Sequence, residues 1–524
     1  MEERNTSLSG ELAVDQRIHL KKSNSRKRNR IRRRFFVAAF ALFSVSLCFL
    51  CSAFIYLDSH GIVPDELFSK ILMGIGAFIL AELLFLLISR RSIFFSVLSI
   101  LICLAITAVS VFGIYTLYKI YESIQIVEEP KTYYAQIGIY VQGNTRFIPT
   151  YTEDEEGNQI EIPGDGFDGC AVGTLLLNVD RGYTSQGMRQ FRRDNDVTVY
   201  TYDEFGDMID ALRSGEIDAI IMNQAYMELF IGSDSDFYDW AVHLMDIGIE
   251  TEHNAVVRKA EVASEPFIVY LAGIDTYDAD NFYDYSRADS NIVACVDPVN
   301  KKILLINTPR DYYVPFWGIS YAMDKLTHAG VYGVECSMET LEALYDIKFN
   351  YYVRTNIYSL IRIVDALGGI TVRSDYQFTA PNGIGGYHNF VVGDNYVDGA
   401  GALCFIRERH SFEDEDKQRG KNQQECIRAI IEKACSPAII AHFSDVLEVV
   451  TQCVETNMTS EEINALVRME LTDMASWSIE SYAVDGEEIY GPSYALGGEE
   501  VFLVRPDYGT VEEAIAMIKA FMNG

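Results

Sequence analysis

The chain has 524 residues, enough for two or three domains, and 49% of them are hydrophobic. A net charge of −32 sets most of its surface against nucleic acid, whose phosphates demand compensating cations. The charge makes the bulk of the chain a poor partner for nucleic acid, and the hydrophobic content raises the question of a membrane.

Three apolar stretches, roughly residues 35–57, 67–89 and 93–118, each reach the ~20 residues that cross a bilayer. The first is too long, and lacks the small-residue cleavage pattern, for a removable signal peptide. Residues 1–34 hold 11 Lys/Arg against 4 Asp/Glu, and Arg90 and Arg91 lie between the second and third stretches. Asp58, Asp65 and Glu66 occupy the first loop instead. The positive-inside rule then predicts a cytoplasmic N-terminal tail (1–34), three spans (35–120) and an exterior remainder. Beyond the spans the net charge is −39, so a cluster of arginines there stands out. The seven exterior cysteines form no Cys-x-x-Cys pair and are odd in number, which indicates neither a zinc site nor a full disulfide framework. Several sit in apolar runs, where a buried free thiol is expected.

Residues 131–260 alternate strand-like and helix-like patterns. The run from Val172 to Val179 reads as a strand. The segment from Thr184 reads as a helix capped by Thr184 or Ser185, and that from Asp203 as a helix closed by Gly215. Strands at 197–202 and 217–223 complete an accessory α/β domain, for which alternation predicts a parallel sheet. Residues 265–524 form a second module. Phe267–Asp275 reads as a strand, and residues 289–309 as a hairpin turning at Asp297-Pro298-Val299-Asn300. Helical spacing joins Val334, Met338, Leu341 and Tyr345. Asn356 caps a second helix that ends at Gly368-Gly369. A strand is expected at Ala402–His410, then a long helix from about Asp416 to Ala434.

The candidate site lies in this second module. Arg407 and Arg409, two apart on the expected strand, would leave one face together. Arg419, Gln423, Cys426 and Ile430 share a helical stripe, so Arg419 and Gln423 are expected to face inward. Arg287 and Asp289 open one hairpin strand, and Arg310 stands where the other runs out. Asp275 ends the neighbouring strand. Guanidinium forks hold phosphate oxygens in bidentate geometry, and paired carboxylates hold Mg²⁺ or Mn²⁺ against them. By spacing, Asp289 serves equally as a metal ligand or as an ion-pair partner of Arg287 or Arg310. His328 is expected to be a helix-start hydrogen-bond partner. Nucleophile-elbow, zincin and Walker signatures are absent from the sequence.

An ordered motif set now resembles the LytR-CpsA-Psr family of bacterial cell-wall glycopolymer ligases. It comprises Gly273-Ile-Asp275, residues 287–290 (RADS), 307–314 (NTPRDYYV), 325–333 (KLTHAGVYG), 349–370 and 402–424. Three spans followed by an accessory domain resemble its capsule-associated branch. The resemblance implies an α/β/α sandwich enclosing an apolar pocket for a polyprenyl chain. It implies metal ligands at Asp275 and Asp289, and pyrophosphate-binding residues at Arg287, Arg310, Arg407, Arg409, Arg419 and Gln423. Many members carry arginine immediately before the glutamine pair, where this chain has Asn422.

The implied function is a membrane-anchored phosphotransferase working outside the cell. It would move a glycopolymer phosphate, of a capsule or teichoic-acid-like polymer, from a polyprenyl pyrophosphate to peptidoglycan. Arg310, Asp289 and Arg287 would act on the reacting phosphate, and Asp289 is a candidate for the acceptor's proton. Two alternatives share the sequence. One is a polyprenyl-pyrophosphate-glycan hydrolase with water as acceptor. The other is a membrane sensor or regulator of envelope polysaccharide synthesis.

Overall fold

The computed structural model describes residues 2–60, 65–126, 133–153, 159–231, 236–251, 258–274, 286–381, 387–436, 439 and 443–524, apart from 91, 144, 163, 176–179, 181, 318, 320, 414 and 474. Two compact units emerge, one of residues 1–125 with 463–474, the other of residues 126–462 with 475–524.

The first unit contains helices Glu2–His60, Asp65–Ser89 and Ile93–Ile126. Segments Arg26–Tyr56, Phe68–Ile88 and Ile93–Thr116 are long and apolar enough to cross a membrane. A polar seam joins them. Ser46 donates to the Cys103 carbonyl at 2.8 Å, and Glu82 is buried against Ser99. Interhelical hydrogen bonds of this kind tie helices together where the surroundings are as apolar as leucine.

In the second unit, a five-stranded sheet comprises Tyr133–Gln142, Ala171–Leu175, Thr198–Tyr202, Ala219–Asn223 and Ala241–Thr251. Ala171–Leu175 pairs in parallel with Thr198–Tyr202 and Ala219–Asn223. Tyr133–Gln142 runs antiparallel to Ala219–Asn223 and to the edge strand Ala241–Thr251. The sheet is thus mixed, because the first and last strands of this module lie outside its βαβ repeats. The helix Tyr183–Asp194 begins after Gly182. The buried Asp180, rather than Thr184 or Ser185, accepts from a first-turn N–H, that of Thr184, at 2.6 Å. Gly215 closes Phe205–Ser214 in the left-handed conformation, as its sequence predicts.

A six-stranded sheet carries the second module, in the order Glu455–Thr456, Tyr351–Asn356, Phe267–Ile274, Ala288–Asp297, Lys302–Thr308, Ser478–Ala483. Ile268, Tyr270, Val293, Cys295, Leu304 and Ile306 alternate onto one face. There they join one core with Leu341 and Tyr345 of helix Val334–Tyr345 and Val511, Ala514 and Ile518 of helix Tyr508–Met522. The alternate set, including Val269, Ile292, Ala294, Ile303 and Leu305, is buried on the other face. The module is an α/β domain of the sandwich class. Asn356 caps helix Ile357–Ala366 by accepting from the Ser359 N–H at 2.8 Å.

One expected element is different. Residues 402–407 belong to the helix Gly399–Arg407, whose Asp398 side chain accepts from the Gly401 N–H at 2.8 Å. That cap, set before a run of small residues, starts a helix where the short apolar run reads as a strand. The helix Glu415–Ala434 follows as expected.

Candidate active site

The hairpin register builds the centre of the site. Asn291 lies opposite Thr308, so continuing the ladder two residues outward sets Asp289 opposite Arg310. Arg310 Nη1 donates to Asp289 Oδ2 at 2.8 Å. Thr327, on the short helix Leu326–Ala329, donates its hydroxyl to Asp289 Oδ1 at 3.1 Å. The same helix is tied to the loop it faces, since the Thr327 N–H donates to the Arg310 carbonyl at 2.7 Å. Gly330 presses against the strand entry. A Cβ there would sit 2.3 Å from the Ser286 carbonyl oxygen, so only glycine admits this approach.

Charge is concentrated around Asp289. Burial pushes its carboxyl up, but the guanidinium groups of Arg310, Arg287 and Arg419 outweigh that and hold it below the usual carboxylate range. Asp289 is therefore an anion at neutral pH, set among three cations. On the far side, Asp311 Oδ2 lies 3.5 Å from Arg310 Nε, and Asp311 Oδ1 lies 3.1 Å from Lys325 Nζ. The Val504 N–H donates to the Asp311 carbonyl at 2.7 Å, which fixes that backbone.

Arg419 reaches this cluster from the helix Glu415–Ala434. Gly420 beside it faces Asn307, where a Cβ would come within 2.3 Å of the amide nitrogen, so the helix passes close over the end of the strand. Gln423 is half-buried one turn further on. The fully inward amides are Gln418, Asn422 and Gln424, which corrects the stripe expected from spacing. Asn422 donates to the Phe405 carbonyl at 3.0 Å, and Gln424 donates to the carbonyls of Leu305 and Tyr482 at 3.1 and 2.8 Å. These two amides satisfy backbone carbonyls between elements.

Arg407 and Arg409 are not same-face neighbours on a strand. Arg407 is the last residue of its helix, and Arg409 follows the extended Glu408, its Nε 3.3 Å from His410 Nε2. The Asn422–Phe405 hydrogen bond fastens this helix end region to the helix that carries Arg419. Asp275 lies outside the described residues. His328 is buried in the short helix Leu326–Ala329, its Nδ1 3.1 Å from Asp324 Oδ1 and 3.4 Å from Ser493 Oγ, the hydrogen-bonded position expected of it. Thr327 and Lys325 were not singled out individually from sequence, although both lie in the 325–333 motif.

Comparison with known proteins places this site in a family. Residues 243–505, half of the chain, match the LytR_cpsA_psr family. A Bacillus mycoides protein named polyisoprenyl-teichoic acid–peptidoglycan teichoic acid transferase TagU is 32% identical over 215 residues, which cover 41% of this chain and 67% of that one. The same-named protein of Enterococcus faecalis is 33% identical, covering 45% of this chain and 76% of its own. Among solved structures, Bacillus subtilis TagV aligns at 25% identity with a TM-score of 0.42, over 50% of this chain and 98% of TagV. The chain belongs to the LytR-CpsA-Psr family.

Proposed function

We propose that the protein is a membrane-anchored transferase that moves a glycopolymer phosphate from a polyprenyl-pyrophosphate carrier to peptidoglycan. The observation that carries this reading is Asp289, held ionised among Arg310, Arg287 and Arg419. Three guanidinium groups around one carboxylate suit a diphosphate, and relatives named as teichoic acid transferases support polymer transfer. The basic tail and three apolar helices support a cytoplasmic N-terminus and an extracytoplasmic site.

In this reading a hydroxyl oxygen of the glycan acceptor attacks the phosphorus that bears the sugar. The bond from that phosphorus to the bridging oxygen breaks, and the electron pair leaves with the polyprenyl phosphate. The arginines hold the diphosphate in line and neutralise the charge that grows on the leaving oxygen, which is most of what phosphoryl transfer requires of a protein. Asp289 is a charge anchor and not the base. Its lowered affinity for protons is the reverse of what a general base near pH 7 needs. The acceptor's proton passes to water.

Asp289 also fits Mg²⁺ or Mn²⁺, because an ionised carboxylate keeps acceptor sites beyond the two that Arg310 and Thr327 occupy. With Asp275 as the second proposed ligand, a bound ion would supply further neutralisation of the phosphates.

The test is incubation of the full chain, in detergent or nanodiscs, with a short-chain polyprenyl-pyrophosphoryl sugar, Mg²⁺ and peptidoglycan oligosaccharides. Mass spectrometry should find a sugar-phosphate adduct on the oligosaccharide. Free sugar phosphate alone would replace this reading with the hydrolase, and no turnover by a folded chain would overturn it.

A further inference from the structure

The five-stranded accessory sheet shares a core with the module that carries the site. Helix Gln224–Ile231 follows the strand Ala219–Asn223, and Tyr226, Met227 and Leu229 on it are buried. They join one continuous apolar cluster with Phe316, Leu326, Ala329, Val331 and Tyr332. The Tyr226 and Tyr332 rings meet in a T-shaped arrangement, with centroids 6.2 Å apart and planes at 74°. Phe316 meets Tyr332 from another side at 5.8 Å and 62°. Tyr332 is thus held between a residue of its own module and one of the accessory sheet.

Tyr332 belongs to the segment that positions the charge cluster. It stands two residues after Gly330, whose backbone presses on Ser286 and Ala288, the residues flanking Arg287. It stands five residues after Thr327, which holds Asp289 and, through its N–H, the Arg310 carbonyl. The chain of packed groups runs from Tyr226 to Tyr332, then through the Thr327–Gly330 turn to Arg287, Asp289 and Arg310. Close-packed side chains transmit displacement because the interior has little free volume to absorb it.

We infer that the accessory module is a working part of the active site, and that Tyr226 is a positioning residue acting through Tyr332 on Thr327, Asp289 and Arg310. Tyr226 touches no substrate. Removing its ring lets the 326–333 segment relax and loosens the geometry around Asp289. Donor binding depends on several further arginines and is largely kept, whereas the alignment of the reacting phosphate is not. Displacements near 1 Å far from the chemistry cost up to about a hundredfold in rate.

The experiment uses the full chain in nanodiscs and compares wild type, Tyr226→Phe, Tyr226→Ala and Tyr226→Leu. Its kinetic arm rests on the transfer reading. There, Tyr226→Ala is expected to lower kcat roughly tenfold or more with donor KM changed less than about twofold, and Tyr226→Phe to restore it. Tyr226→Leu keeps most of the buried volume and carries the same test if the alanine variant does not fold. A second arm needs no turnover. Amide exchange over residues 326–333 should quicken in the alanine or leucine variant, while strand Tyr351–Asn356 stays as protected as in wild type. Unchanged exchange at 326–333 in a folded variant overturns the inference, as does full kcat. Quickened exchange in a chain with no wild-type turnover would uphold the inference and reject the transfer reading instead.

Discussion

Arg310 and Asp289 sit directly across the continued ladder of one hairpin, their side chains 2.8 Å apart, with Thr327 on the carboxylate's other oxygen. An ion pair a quarter exposed adds little stability by itself. Its worth is positional, since it fixes one guanidinium plane and keeps one carboxylate charged where phosphates must bind.

Losing either partner should therefore cost far more activity than stability. Arg310→Ala and Asp289→Asn are each expected to lower transfer by about 10²–10³-fold, the usual loss for a preorganised charge at a reacting centre. Both should melt within a few degrees of wild type. A well-folded Arg310→Ala protein with normal transfer would remove this pair from the mechanism.

The pair also has a pH signature. The folded carboxyl of Asp289 lies below the unfolded carboxylate range, so its contribution to stability is complete above about pH 4. It fades as pH falls through the folded value. Comparing wild type with Asp289→Asn, the difference in melting temperature should be constant at neutral pH and shrink only in acid. A difference that instead grows on acidification would contradict the sign of the shift.

The pairing of these residues was almost legible in the sequence. The hairpin strands and the presence of a turn at Pro298 follow from pattern alone. A tight four-residue bend at 297–300 would set Asp289 opposite Thr308. In the structure Asp297 pairs with Lys302, leaving residues 298–301 as the loop. Lys301 adopts a left-handed φ of 53°, and Asp297 accepts from the N–H groups of Val299 and Asn300. That two-residue shift of the partner strand, from Asn300 to Lys302 opposite Asp297, moves Asp289 from Thr308 to Arg310, and a non-glycine left-handed residue has no clear sequence signal. The 399–407 helix was hidden for a different reason. Its length and apolar run suit a strand as well as a helix, and only Asp398 before Gly399 marks a start. Long periodic helices with caps, such as 357–366, were readable because several local signals agreed.

Asn422 should prove structural. It is almost fully buried, donates to the Phe405 carbonyl at 3.0 Å and accepts from Gln418 at 3.0 Å. Asn422→Ala leaves both partners unsatisfied, at a cost of about 1–3 kcal/mol each way of counting. A fall of several degrees in melting temperature is expected, with a smaller loss of transfer as the helix bearing Arg407 loosens. Unaltered melting would show that water replaces the amide there.

The thiols of Cys295 and Cys426 should be inert in the native protein. Burial pushes Cys295 and Cys426 up to about 12, and thiols so shielded carry almost no thiolate near neutral pH. Iodoacetamide at pH 8 should leave both unmodified until denaturant is added. Labelling of either in folded protein, read by peptide mapping, would contradict their burial.

The sheet edge holds a buried ion pair. Arg354 and Glu455 face each other across the register of Tyr351–Asn356 and Glu455–Thr456, with Nε 3.4 Å from Oε2 and both side chains nearly sealed from water. Tyr352 also donates its hydroxyl to Glu455, at 3.1 Å. Forming such a pair gains little, because desolvation of the two charges consumes most of their attraction. Breaking it is another matter. Arg354→Ala or Glu455→Ala strands a buried charge and should cost about 3–5 kcal/mol, a drop on the order of 10 °C in melting temperature. The double replacement Arg354→Met with Glu455→Leu removes both charges together and should recover most of that loss. The double replacement also removes the hydrogen bond from the Tyr352 hydroxyl to Glu455, and adding Tyr352→Phe should return part of that loss. Thermal melts of the four variants decide the matter, and single variants that melt with wild type would mean that water reaches the pair.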